Sequence, residues 1–597
     1  MSRRRKVVLA VVAAVVAAIA AFVIPTVWLR PWSIDHFYLR VFAQYALRRP
    51  MFLSSLRILE PLGLQFHNDD LDDFSVAFRQ REARWVERQL RILQSYNRDA
   101  MSEAGRLSYD ILAWFLADSL DGDRFAFHYY PVNQMSGVQI TLPDFMITTH
   151  RVDSLRGARQ YVSRVSKFGK AFDQVLESVE LQKQKGIVPP RFIIRYVLEG
   201  MTRFIAMEPS KNVLFTHLES KLRELSNLQP RDRQEVLAAA EREIGRTVYP
   251  AYRRLIAFLA DLQGIATDDD GAWKLPDGAA FYAWTLRHHT TTGMSGDEIH
   301  ALGLSELARR QAEMRAILRA QGYPADDLMA AMHRLNGEKR FQYPNTSEGR
   351  EQALRDYQKI IDEIDEGSRR FLDVRPPVGV KVKRVPEFKE AKAPGGYYVG
   401  PPMDRSEPGT FYVNLRDMRE IPRFGMRTLV YHETIPGHHV QGTIAQSLAD
   451  VPFFRRVIGF TAYSEGWALY AERLAAEQGY EEDPFDRLGY LSSEAFRAVR
   501  LVVDTGIHEK RWTREQAIDF MLVNTGMPKG EVVAEVERYI VDPGQACGYM
   551  VGALKIVELR QRLRERQGGS FDLGKFHDLV LTSGAMPLDI LEKLILE

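Results

Sequence analysis

The chain has 597 residues, 45% of them hydrophobic and 26% charged, with 80 basic residues set against 78 acidic ones. That length exceeds what one compact core usually holds, so two lobes are expected, and the near-zero charge balance gives no support to a nucleic-acid partner. Cys547 is the only cysteine; this excludes an intramolecular disulfide and any metal site needing several thiolates, and leaves His, Asp and Glu as the available ligands.

At the N-terminus, Arg3-Arg4-Arg5-Lys6 precedes an uncharged apolar run of 18 residues, 7–24, followed by Pro25. A basic flank before such a run reads as a signal peptide or signal anchor over residues 1–32. Ala18-Ile19-Ala20 resembles a cleavage site but lies inside continuing hydrophobic sequence, which favours retention. The expected location is therefore the cell envelope. The body is either anchored to the inner membrane and periplasmic, or released to the periplasm if the segment is cut.

Residues 33–375 read as a mostly helical N-terminal part. Segments 77–93 and 231–244 combine strong helix formers with apolar residues at threes and fours. Ser295 before Asp297-Glu298 marks a helix start with acids in its first turn. Between Arg375 and Leu415 the texture changes to short alternating runs at 378–385, 395–399 and 409–414, separated by Pro and Gly, which predict a small sheet. The run with Tyr397 and Tyr398 is read as an edge strand able to pair with an extended peptide. Residues 376–597 then form the metal-binding part of one continuous body, 33–597.

The stretch that organises this part is Tyr431-His432-Glu433-Thr434-Ile435-Pro436-Gly437-His438-His439, with three of the chain's 14 histidines. A zinc hydrolase needs two neutral imidazoles on one side of the metal, and a carboxylate that reaches the attacking water without being a ligand. His432-Glu433 supplies one of each, because neighbouring helical residues point about 100° apart. The fourth-on position that usually carries the second histidine is Pro436. If Pro436-Gly437 bulges as a two-residue insertion, His438 takes that place; a three-residue excursion selects His439 as the alternative ligand. Glu465, in Tyr463-Ser464-Glu465-Gly466-Trp467, is the expected third ligand. Glu472 lies about 10 Å further along the same face, too far to share one ion. Downstream, His508 and Tyr549 are candidate donors to an oxyanion, and Arg500 is a candidate fork for a substrate carboxylate.

His432-Glu433-Thr434-Ile435-Pro436-Gly437-His438-His439, Ser464-Glu465-Gly466-Trp467-Ala468-Leu469-Tyr470, Asp504-Thr505-Gly506-Ile507-His508 and Pro543-Gly544-Gln545-Ala546 resemble, in order, motifs of the bacterial DUF885 family. That family looks like a branch of the zincin-like, gluzincin-type metallopeptidases. The resemblance implies a mainly α, two-lobed body with a deep cleft and a short β element beside the metal helix. It also implies one zinc ion on His432, His438 and Glu465, with Glu433 as base. The expected function is zinc-dependent hydrolysis of short peptides, as a carboxypeptidase or dipeptidase, with cell-wall stem peptides one possible substrate. The competing readings are a non-catalytic envelope metal-binding protein and a zinc amidohydrolase or esterase acting on non-peptide substrates.

Overall fold

Apolar residues at helical spacing carry most of the chain into helices, as the sequence predicts. The computed structural model describes residues 3–390 and 393–597. Segment 77–93 lies in the helix Val76–Gln94, where the Ser75 side chain accepts the Phe78 N–H. Segment 231–244 lies mainly in the helix Pro230–Glu243. Ser295 and Glu298 close a reciprocal capping box on the 25-residue helix Gly296–Ala320. That helix packs along the helix Pro484–His508. Gly303 makes the close approach possible, since a Cβ there would stand 2.8 Å from Leu501 Cβ and 3.0 Å from the Ala498 carbonyl oxygen.

The buried apolar residues form two clusters. One runs from Met51 through the helices up to Leu335 and takes in residues from Phe424 to Ala553. The other joins residues from Phe37 to Leu116 with those from Tyr343 to Ile595. Each cluster draws on both sides of residue 375, so the helical part and the part carrying the metal motif are packed as one body.

The expected small sheet is present, with three strands: β1 (Val380–Arg384), β2 (Gly396–Val399) and β3 (Gly409–Val413), in the order β1-β3-β2. β1 runs parallel to β3, with Val380 opposite Gly409, and β2 runs antiparallel to it, with Gly396 opposite Val413. The central strand has the most to bury, and Phe411 and Val413 are fully enclosed. β2 is an edge strand, as expected from its sequence.

The N-terminal apolar run lies in the helix Arg3–Trp28, which has Pro25 inside it. Most of the side chains that the anchor reading depends on fall outside the described residues. Among the described residues no helix is long and apolar enough to cross a membrane.

Candidate metal centre

The Tyr431–His439 stretch is two helices, not one bulged helix. The first, Met426–Glu433, ends at Glu433, and the second, His438–Ser447, begins at His438 with Gly437 as its N-cap residue. The expected continuation of the ladder across a bulge is therefore corrected, because Pro436 has no N–H to continue it. The break is held in place from outside: Trp467 Nε1 donates to the Pro436 carbonyl at 2.9 Å. It also needs a glycine. A Cβ on Gly437 would lie 2.0 Å from the His432 carbonyl oxygen and 2.4 Å from that of Tyr431.

This break brings His438 back beside His432. Their rings are 4.9 Å apart and nearly perpendicular. Glu465 enters from the helix Thr461–Glu477, and one ligand atom from each of His432, His438 and Glu465 lies within 4.8 Å of the others. Glu465 Oε2 stands 3.3 Å from His438 Nε2 and 3.6 Å from His432 Nε2. Ligands about 2.1 Å from a tetrahedral zinc are about 3.4 Å apart, so these separations suit one ion. Glu465 Oε2 is buried and has no hydrogen-bond partner, an arrangement that is costly unless another group engages it. The donor set of two imidazoles and a carboxylate therefore fits a zinc-type cation.

Buried aromatics anchor the helix that carries Glu465. Tyr463, Trp467 and Tyr470 of that helix are fully enclosed, and Tyr463 and Tyr470 hydrogen-bond to the Val580 carbonyl and His577. Gly466 and Gly552 let the helices Thr461–Glu477 and Gly548–Gln567 touch backbone to backbone. A Cβ on Gly552 would come within 2.0 Å of the Ala462 carbonyl oxygen.

Glu472, dismissed as a ligand on distance grounds, has a different place. Its Oε1 lies 2.7 Å from His432 Nδ1, and its Oε2 accepts from Ser493 Oγ at 3.0 Å. The His432 ring thus spans the two carboxylates, Glu465 on Nε2 and Glu472 on Nδ1, and this fixes its orientation. Burial works against charging His432, but the Glu465 and Glu472 carboxylates on either side of the ring outweigh it and raise its pKa to about 9. Burial likewise pushes the Glu465 carboxyl up, and the histidines beside it override this and hold it well below the ordinary range. The seven-residue spacing between Glu465 and Glu472 was the available sequence signal for this pairing. Glu433, 8% exposed, occupies the last position of the first helix, next to His432.

The other candidates divide. The Tyr549 ring lies nearly parallel to that of His432, 6.4 Å away. Burial and then the Glu465 carboxylate raise its phenol pKa, so it remains a proton donor at neutral pH. His439 is not available as a ligand. Its Nδ1 accepts from the Tyr398 hydroxyl at 2.8 Å and its Nε2 donates to the Val378 carbonyl at 2.9 Å, while burial lowers its pKa to about 4. The same bond commits the Tyr398 hydroxyl to tying β2 to the helix His438–Ser447 rather than to substrate. Tyr397 stacks on Tyr412 of β3, with ring centres 5.2 Å apart.

His508 is likewise corrected as an oxyanion donor. Its Nδ1 accepts the Ala272 N–H at 2.9 Å and its Nε2 donates to the Tyr539 carbonyl at 3.0 Å, so neither nitrogen is free. Arg500 spends Nε on the Tyr539 hydroxyl and one Nη on Glu535. It is therefore not a free fork. Asp504, in the same motif as His508, accepts from the Tyr282 hydroxyl at 2.7 Å and from the Gly544 N–H at 3.0 and 3.1 Å. The motif clamps the turn that leads into the Tyr549 helix.

Burial raises the Asp504 pKa from its ordinary 3.8 to about 7, with Tyr282 and Gly544 partly opposing. Between those values the folded protein keeps a proton that the unfolded chain has released. Its stabilising contribution is thus full below about pH 4 and is lost as pH rises towards about 7. Asp504→Asn is expected to flatten that part of the stability profile, as read from urea melts across the range.

A mainly helical chain, a small mixed sheet and a His-His-Glu triad drawn from three helices are the class that fold and site define. The chain belongs to the DUF885 family, described as bacterial proteins of unknown function, which matches over residues 59–595. A crystal structure from Colwellia psychrerythraea, described as "the putative lipoprotein", is 32% identical, with a TM-score of 0.91 over 94% of this chain and 98% of that one. Another solved structure, from Shewanella oneidensis, described as "a putative lipoprotein of unknown function", shares the fold at 19% identity, with a TM-score of 0.71 over 95% of this chain and 100% of that one. No curated protein matches the chain.

Proposed function

We propose that this protein is a zinc-dependent hydrolase of short peptides. The observation that carries the reading is the convergence of His432, His438 and Glu465, with the buried Glu465 Oε2 lacking any other partner. A zinc ion held there would supply a Lewis acid and bring the pKa of a bound water to about 7. Glu433 would take the proton from the attacking water and pass it to the leaving amine. Tyr549 would donate its O–H to the developing oxyanion. Glu472 would keep the His432 ring in place. A purely structural or storage site has no use for an unliganded carboxylate next to its ligands, which favours catalysis over simple binding. The reading carries with it the two-lobed, cleft-bearing zincin-like architecture that the family resemblance implies, and β2 as the edge for an extended substrate.

A cell-envelope location is part of the same proposal. It rests on the basic and apolar N-terminal segment and on the lipoprotein descriptions of the similar structures. Attachment would not run through Cys547, which is buried.

The test pairs metal content with peptide hydrolysis in the full-length chain and in Glu433→Gln. One zinc per chain in both, with turnover reduced by about 10²–10⁴-fold in the variant, is the expected result for loss of a general base. Failure to take up zinc on reconstitution would remove the proposal. Zinc in both with amides or esters cleaved but not peptides would move it to the amidohydrolase or esterase class.

A further inference from the structure

Arg497 lies one turn before Arg500 on the helix Pro484–His508. Its guanidinium carbon stands 4.9 Å from the centre of the Tyr549 ring and that of Arg500 4.5 Å. Both arginines also contact the Phe496 ring. Their counter-ions differ. Arg500 and Arg538 share Glu535, at 2.9 and 3.1 Å. Among the described residues Arg497 has no hydrogen-bond or ion-pair partner, and its Nε is buried without an acceptor, as is one Nη of Arg500. Glu472 and Glu465 attract it only from beyond bonding distance; a half-buried guanidinium with no hydrogen-bonded carboxylate is an unusual expense for a fold unless a ligand completes it.

We propose that Arg497, backed by Arg500 and the Tyr549 ring, binds the terminal carboxylate of the substrate, making this an enzyme that cleaves near the C-terminus of peptides with a free acid end. The inference rests on the hydrolase reading above and names its substrate class. A guanidinium pairs with a planar carboxylate through two parallel hydrogen bonds, and the aromatic rings fix its plane. The Tyr549 ring contacts both groups, 4.9 Å from the Arg497 guanidinium carbon and 6.4 Å from the centre of the His432 ring, which places the arginine beside the metal site. The carboxylate-binding role expected of Arg500 thus passes to its neighbour, because Glu535 and Tyr539 already occupy most of Arg500.

The experiment uses full-length protein and a mixture of N-acetylated pentapeptides randomised at their last two positions, made as free acids and as C-terminal amides. Cleavage is followed by mass spectrometry. In parallel, zinc-loaded Glu433→Gln is immobilised and scored for the peptides it retains. Free acids are expected to be cleaved and retained about 10- to 100-fold better than amides, the range of a charge-assisted hydrogen-bonded pair. Arg497→Ala is expected to bring that ratio close to one, and Arg497→Lys to keep part of it. Zinc content and thermal melting of both variants separate this from misfolding. Equal handling of acids and amides by the unaltered protein would overturn the proposal. So would an Arg497→Ala that slows both series by the same factor, which would mark a donor to the oxyanion instead. If neither series is cleaved, the peptidase reading fails and the retention ratio alone decides: an Arg497-dependent preference for acids sustains the carboxylate site, and no preference removes it.

Discussion

Glu465→Ala is expected to reduce zinc retention by at least about 10²-fold and to leave hydrolysis undetectable, measured by metal analysis after dialysis and by peptide turnover. Glu465 is the only one of the three candidate ligands that comes from the helix Thr461–Glu477, so its removal leaves two imidazoles on one side of the ion. An open catalytic site with three protein ligands cannot lose one and keep its geometry. The partner carboxylate provides a graded comparison. Glu472→Gln keeps the three ligands but loses the charge facing His432 Nδ1. Its expected cost in metal affinity is about 10–100-fold, the range for groups that orient a ligand from behind. Equal losses in both variants would mean that the helix as a whole had shifted. Unchanged zinc in Glu465→Ala would show that this carboxylate is not a ligand.

Gly437→Ala is expected to disable the site without touching a ligand. The added Cβ would stand 2.0 Å from the His432 carbonyl oxygen, a backbone atom that cannot swing aside as a side-chain tip can. Relief requires the start of the helix His438–Ser447 to move away from the end of the helix Met426–Glu433, carrying His438 away from His432 and Glu465. Overpacking of this kind costs about 1–3 kcal/mol and occasionally more, so a depressed melting temperature should accompany the loss of zinc. Gly442 is the control. It lies in the same second helix, and a Cβ there would meet nothing within 4 Å. Gly442→Ala is expected to leave zinc content unchanged and to stabilise by up to about 1 kcal/mol through helix propensity. A Gly437→Ala protein with full zinc content would mean that the break tolerates displacement.

The candidate site was legible where chemistry depends on residue type and short spacing. His432, Glu433 and a helix-breaking Pro436-Gly437 sit within a few residues of one another, and such a cluster has few structural uses. Glu465 was legible for the same reason, with aromatic neighbours that forecast its partial burial. Long-range hydrogen bonding was not. His508 and His439 look like functional histidines in sequence, yet each spends both nitrogens on partners far away in the chain, Ala272 and Tyr539 for one, Tyr398 and Val378 for the other. Arg500 and Arg497 are indistinguishable in sequence, being one helical turn apart. Glu535 engages one and leaves the other without a direct ion pair.

By itself, the amino-acid order determined the helical texture, the three short strands before the metal motif and the segments that could supply ligands. Those follow from local periodicity, from β-forming runs bounded by Gly and Pro, and from the absence of an N–H on Pro436. Only the tertiary structure decided that His438 rather than His439 faces His432, that Glu472 braces the His432 ring, and that β1, β3 and β2 pair in that order. Each of these depends on which distant backbone or side chain arrives within hydrogen-bond reach, and packing sets that proximity, with glycines at positions 437, 466 and 552 setting how closely the helices approach.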